Sequence, residues 1–172
     1  WARRWPQLKD AAWFPAVGDG ACSNVGCGCT TRERLALMVG TSGAMRVLWK
    51  ADRVEIPGGL WCYRPDAKRF VMGGALSDGG NLVAWLRETL RLPEPGKAEP
   101  LIASMEPDSH GLTFLPLLGG ERSPGWNPRA TGAIAGLTFE ADAADLLQAG
   151  LEGIAYRLAE SAERLPEVRE VV

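Results

Sequence analysis

The sequence predicts a mixed α/β domain, and three observations predict it. Two pairs of short apolar runs flank turn-forming residues and read as antiparallel hairpins. Two longer stretches carry apolar residues at helical spacing between cap and stop signals. Glycine reaches 21 of 172 residues, well above the usual ~7%, and gathers in short clusters beside apolar runs rather than spreading as a linker does. Hydrophobic residues make up 46% and charged residues 23%, which excludes a mainly disordered chain. A net charge of −2 argues against a nucleic-acid binder working through a broad basic surface.

The elements follow in order. Trp13-Phe14-Pro15-Ala16-Val17 reads as a short buried strand running into Gly18-Asp19-Gly20, and the small residues 21–28 as a short helix or loop. The runs 34–39 and 44–49 flank Gly40-Thr41-Ser42-Gly43 as a first hairpin. Residues 60–64 and 69–72 form a second around Pro65-Asp66-Ala67-Lys68, which has turn chemistry. Ser77 or Asp78 then caps a helix to about Leu92, with Leu82, Val83, Leu86 and Leu90 as its stripe and Pro93 as its stop. Residues 93–97 are expected to be a surface loop. Residues 112–117 are strand-like, 119–129 form a long Gly/Pro loop of the mobile or functional kind, and 132–137 give another strand. The last helix is capped by Asp142, buries Leu147, Leu151, Ile154, Leu158, Ala162 and Leu165, and stops at Pro166.

No apolar stretch approaches the roughly 20 residues of a membrane span. Trp1-Ala2-Arg3-Arg4-Trp5-Pro6 has neither the apolar core nor the cleavage site of a signal peptide. A cytoplasmic protein without a membrane partner is expected, and the ends read as those of an excised piece. Cys22, Cys27, Cys29 and Cys62 with a single histidine, His110, make a poor zinc set. Reduced thiols packed as small hydrophobes, and no metal site, are expected.

Four segments can carry chemistry. Asp19, between glycines at the end of an apolar run, suits a general base that a ligand approaches closely, although Gly-Asp-Gly is also an ordinary turn. The turn at Gly40 and Thr41 gathers N–H groups and hydroxyls that suit a phosphate, but it is not a P-loop. At Ser77-Asp78-Gly79-Gly80-Asn81 the free N–H groups of a helix start favour an anion, and Gly79 and Gly80 let it approach. In Gly119-Gly120-Glu121-Arg122-Ser123-Pro124-Gly125-Trp126, a Glu121–Arg122 pair could brace a mobile loop. His110 reads as a loop or structural histidine.

Gly18-Asp19-Gly20-Ala21-Cys22-Ser23-Asn24-Val25-Gly26, Val39-Gly40-Thr41-Ser42-Gly43-Ala44, Gly73-Gly74-Ala75-Leu76-Ser77-Asp78-Gly79-Gly80-Asn81 and Leu115-Pro116-Leu117-Leu118-Gly119-Gly120-Glu121-Arg122-Ser123-Pro124 occur in that order. Together they resemble the C-terminal domain of the FGGY carbohydrate kinases, and the Gly-Asp-Gly-Ala and Gly-Gly-Glu-Arg-Ser-Pro-Gly-Trp strings its gluconokinase-like branch. The resemblance runs from about Trp13 to Leu165. It implies an actin-like, ribonuclease-H-like domain truncated at both ends, with residues 1–172 as most of the C-terminal domain.

It further implies ATP and Mg²⁺ as cofactors and a sugar or sugar acid as substrate, gluconate phosphorylated to 6-phosphogluconate being favoured. Asp19 matches the family's catalytic base, Gly40 and Thr41 its phosphate-contacting turn, and Gly79 and Gly80 its nucleotide-contacting helix start. The family's Asp-x-Gly-Thr loop, with the main Mg²⁺ ligand, and its late Gly-Gly-x-x-x-Ser adenosine motif do not occur in this sequence. The 172 residues alone are therefore expected to be inactive, with room for a homo-oligomer. A pentulose or polyol kinase, or a non-catalytic actin-fold binding module, are the alternatives.

Overall fold

A computed structural model describes residues 3–165 and 167–172. Its centre is a five-stranded mixed sheet in the order β3-β4-β2-β1-β7. The strands are β1 (Arg34–Val39), β2 (Gly43–Lys50), β3 (Trp61–Tyr63), β4 (Arg69–Ala75) and β7 (Glu170–Val171). Both predicted hairpins form. β1 pairs with β2 in the register Val39↔Gly43, and β3 pairs with β4 through Cys62↔Met72. The short β7 adds in parallel to β1. A separate ribbon joins β5 (Thr113–Leu115) to β6 (Ala133–Ala135).

Alternation along β2 gives the sheet two buried faces. Met45, Val47 and Trp49 pack with Leu35, Met72 and Leu165 under Leu158 and Ala162 of α4 (Ala143–Ala162). On the other face Leu48 and Val71 pack against Ala21 of α1 (Asp19–Gly26) and against Trp61. A second core, with Leu76, Leu82, Leu86, Phe114, Leu147 and Ile154, joins α2 (Gly80–Thr89), β5 and α4. α3 (Pro95–Ser104) closes over it with Ile102.

Several expectations are corrected. Residues 13–17 form no strand: Trp13 is 65% and Phe14 85% exposed. Pro15 removes a ladder donor at the centre of this run, and no described strand pairs with it. The surface loop at 93–97 is instead the start of α3, with Pro95 in the first turn, where its missing N–H costs nothing. α2 begins at Gly80 rather than after a Ser77 or Asp78 cap, and its cap residue Gly79 makes no side-chain bond. α4 is capped as predicted: Asp142 accepts from the Ala144 and Asp145 N–H groups, and Asp145 accepts from Asp142 in return. The helix ends at Ala162, and Leu151 on the predicted stripe is 39% exposed. Pro166 lies outside the described residues.

Candidate active site

The loop between β1 and β2 and the start of α2 are locked together through backbone. The Gly80 N–H donates to the Gly40 carbonyl oxygen at 2.7 Å, and the Asn81 N–H to that of Thr41 at 3.1 Å. Such an approach excludes side chains. A Cβ on Gly79 would lie 2.9 Å from the Ser42 carbonyl carbon, and one on Gly80 2.8 Å from the Gly40 oxygen. The helix-start donors expected to be free are therefore engaged. The Gly79 and Leu82 N–H groups go to Asn81 Oδ1, at 2.7 and 2.9 Å.

What stays available is the turn itself. Thr41 and Ser42 are exposed, and among the described residues their N–H groups and hydroxyls donate to no protein acceptor. From Thr41 and Gly80 a groove of about 520 Å³ runs along α2 past Asn81 and Ala84 to Trp85 and Glu88. A glycine, a hydroxyl turn and an aromatic wall thus share one surface.

Asp19 opens α1 on the opposite side of β2. It is exposed, and one carboxylate oxygen takes its neighbour's N–H, Gly20, at 2.7 Å. The helix is positioned by Asn24, fully buried, whose amide donates to the carbonyl oxygens of Cys29 and Arg46 at 3.2 and 3.0 Å. The Arg46 guanidinium lies across the first turn of α1: a Cβ on Gly20 would meet its Nε at 2.7 Å. Gly20 is therefore small to admit Arg46. Tyr63 stacks on Trp61 with ring centroids 5.5 Å apart, and its hydroxyl lies 3.7 Å from where a Gly18 Cβ would sit. Burial pushes the Tyr63 phenol up; Arg46 pulls it down, while Asp19 and Cys22 add to the rise. Arg46 follows Gly43 by three residues, so the Asp19 side and the turn are about 10 Å apart along β2. Arg46 and Tyr63 escaped the sequence reading, since an Arg inside an apolar strand was the only trace.

The 119–129 loop is a clasp rather than a mobile flap. Ser123 is fully buried and extends the β4 ladder: its N–H donates to the Ala75 oxygen at 2.8 Å, and its Oγ accepts from the Ala75 N–H at 3.1 Å. Trp126 Nε1 donates to the Gly59 oxygen at 2.8 Å. Glu121 pairs not with Arg122 but with Arg157 of α4, which also binds Glu160. Asp78, 3% exposed, accepts from the Gly119 N–H at 3.2 Å, and burial pushes its carboxyl above the usual range against that bond.

His110 is structural, as expected. Its Nδ1 accepts from the Leu112 N–H at 2.9 Å, so Nε2 carries the proton toward Glu152, 3.1 Å away. Asp108 completes a three-ligand group with them. Glu152 is already supplied by the Asp108 N–H, His110 and Gln148, so the group braces a loop. Of the cysteines, Cys29 is buried, its thiol pushed by burial up to about 11, and Cys62 is half-buried. Cys22 and Cys27 are exposed, against the packing expected for them.

A mixed sheet covered by α1 on one face and α4 on the other, with ligand-accessible loops at one end of β2, defines an actin-like, ribonuclease-H-like α/β domain. Residues 35–170 match the FGGY family of carbohydrate kinases, C-terminal domain, and the chain belongs to that family. The gluconokinase of Bacillus subtilis is 34% identical over 153 residues, 83% of this chain and 30% of its own length. Two Lactobacillus acidophilus structures superpose on 88% of the chain. A ligand-bound xylulose kinase has TM-score 0.77 and 33% identity, and a gluconate kinase 0.76 and 32%; the chain covers 31% and 32% of them. The chain thus spans about a third of the length of these relatives. No helix among the described residues is long and apolar enough to cross a membrane.

Proposed function

We propose that residues 1–172 are most of the C-terminal domain of an ATP-dependent kinase that phosphorylates a sugar acid, gluconate first, on its 6-hydroxyl. The observation that carries this reading is the hydroxyl turn at Gly40 and Thr41, fused to the Gly79–Gly80 helix start at the head of the α2 groove, with Asp19 across β2. ATP fits that groove chemically: unpaired N–H groups and hydroxyls of Thr41 and Ser42 for phosphate, and Trp85 as an apolar wall. Mg²⁺, when bound, neutralises phosphate charge as the phosphoryl group is transferred. From this domain Asp19 would be the carboxylate that contributes to its electrostatic environment. The one group of three metal-capable side chains among the described residues does not include Asp19, so the main ligand is expected from an upstream domain.

Asp19 accepts the acceptor hydroxyl's proton and orients its oxygen for in-line attack on the γ-phosphorus. Transfer depends mostly on positioning and charge, so close backbone donors and one fixed carboxylate suffice from this domain. ADP release by the whole protein, measured over a panel of sugars and sugar acids, tests the proposal. Asp19→Ala is expected to lose at least about 100-fold in kcat with ATP binding nearly unchanged. Robust turnover by that variant sinks the base assignment. A pentulose is the second reading, favoured by the likeness to the xylulose kinase, and the same panel separates the two.

A further inference from the structure

The Arg46 guanidinium is a charge without a counter-ion among the described residues. Among the described residues it makes no hydrogen bond and no ion pair, and its Nη1 is buried without an acceptor. Its position is costly, because it crosses the first turn of α1, where the helix's own N–H groups already present positive charge. Gly20 must lack a side chain to let it pass. Leaving the buried Nη1 donors unmet while opposing a helix terminus destabilises the free domain. Such local violations mark functional positions. Tyr63 feels both this guanidinium and the carboxylate of Asp19, where the acceptor hydroxyl is to react. The phosphate-binding turn lies three residues away along β2, so this guanidinium belongs to the acceptor's side of the site.

We propose that Arg46 is the specificity residue of the acceptor site: its guanidinium receives the carboxylate of a sugar acid. A carboxylate is the planar, two-oxygen partner that an Arg fork matches. A neutral acceptor leaves the fork unmet and gains nothing from it. The inference rests on the kinase reading above and goes further in naming the group that selects the acid.

The test uses the whole protein and compares a sugar acid with the neutral polyol of the same carbon skeleton. Arg46→Met and Arg46→Gln keep the stem that crosses Gly20 and remove the charge. The readout is the ratio of kcat/KM for acid over polyol, which does not depend on how much of a variant folds. In both variants this ratio is expected to fall about 10- to 100-fold, mostly through the KM for the acid, with the KM for ATP unchanged. An unchanged ratio, or a KM for ATP that rises with that for the acid, overturns the assignment. A wild-type enzyme that prefers the polyol overturns it too, while leaving the kinase reading in place. Absence of turnover on every acceptor instead removes the kinase reading and this inference with it.

Discussion

The Gly80 N–H and the Gly40 carbonyl oxygen, 2.7 Å apart, bind the start of α2 to the loop between β1 and β2. The two glycines of this bond are small for different reasons. A Cβ on Gly80 meets the Gly40 oxygen at 2.8 Å, whereas one on Gly40 meets nothing within 4 Å.

Gly80→Ala is therefore expected to cost about 1–3 kcal/mol of stability by forcing the two backbones apart, with ATP affinity falling alongside. Gly40→Ala is expected to stay within about 0.5 kcal/mol of the parent, so any ATP affinity it loses reports contact with the nucleotide. Denaturant unfolding and titration with an ATP analogue check both. A Gly40→Ala variant as destabilised as Gly80→Ala refutes the distinction.

The hairpins were legible because apolar alternation and a glycine-bounded turn specify both strands and register locally. The strand expected at 13–17 failed because a strand needs a partner, and partners are not a local property. α3 was hidden by prolines: Pro95 starts the helix, and Pro100 sits inside it. In the candidate site, the close backbone approach of Gly79 and Gly80 was readable because glycine clusters mark such contacts. The partners were not. Glu121 chose Arg157, 36 residues on, over its neighbour Arg122, and Arg46 gained its meaning from Gly20, which only the packing of α1 on β2 brings beside it.

Asp78 is buried with its carboxyl pushed up by desolvation. The folded chain then holds that proton at a pH where the unfolded chain has released it. Its contribution is unfavourable above the folded value, and the penalty fades as pH falls, vanishing below the ordinary carboxylate value of about 3.9. Asp78→Asn keeps an acceptor for the Gly119 N–H without the charge. It is expected to melt at or above the parent's temperature at pH 7, with the advantage shrinking toward pH 4. A variant that melts lower than the parent at pH 7 and gains ground on acidification contradicts this.

Glu152 titrates the other way. Burial would raise it, but bonds from the Asp108 N–H, His110 and Gln148 outweigh burial and hold it below its ordinary value. That stability is present above about pH 4.3 and is lost as pH falls through the lowered value. Glu152→Gln is expected to lower the melting temperature by several degrees at pH 7 and to match the parent in strong acid. A deficit that persists unchanged at low pH would mean that packing, not charge, sets the effect.

Arg157 decides whether the 119–129 loop stays on the body of the domain. Its side chain and that of Glu121 are each only 16% exposed, and it also reaches the Ser123 oxygen at 3.4 Å. Removing the cation leaves a half-desolvated carboxylate facing α4, whereas removing both charges leaves only a packing defect. Arg157→Met alone is expected to destabilise by about 2–4 kcal/mol, and Arg157→Met with Glu121→Gln by clearly less. Proteolysis should report the same order, since a loop freed from α4 exposes the backbone around Pro124 that Ser123 now ties to β4. Equal losses in the single and double variants would show that the carboxylate left behind by Arg157→Met carries no desolvation penalty of its own, contradicting this account.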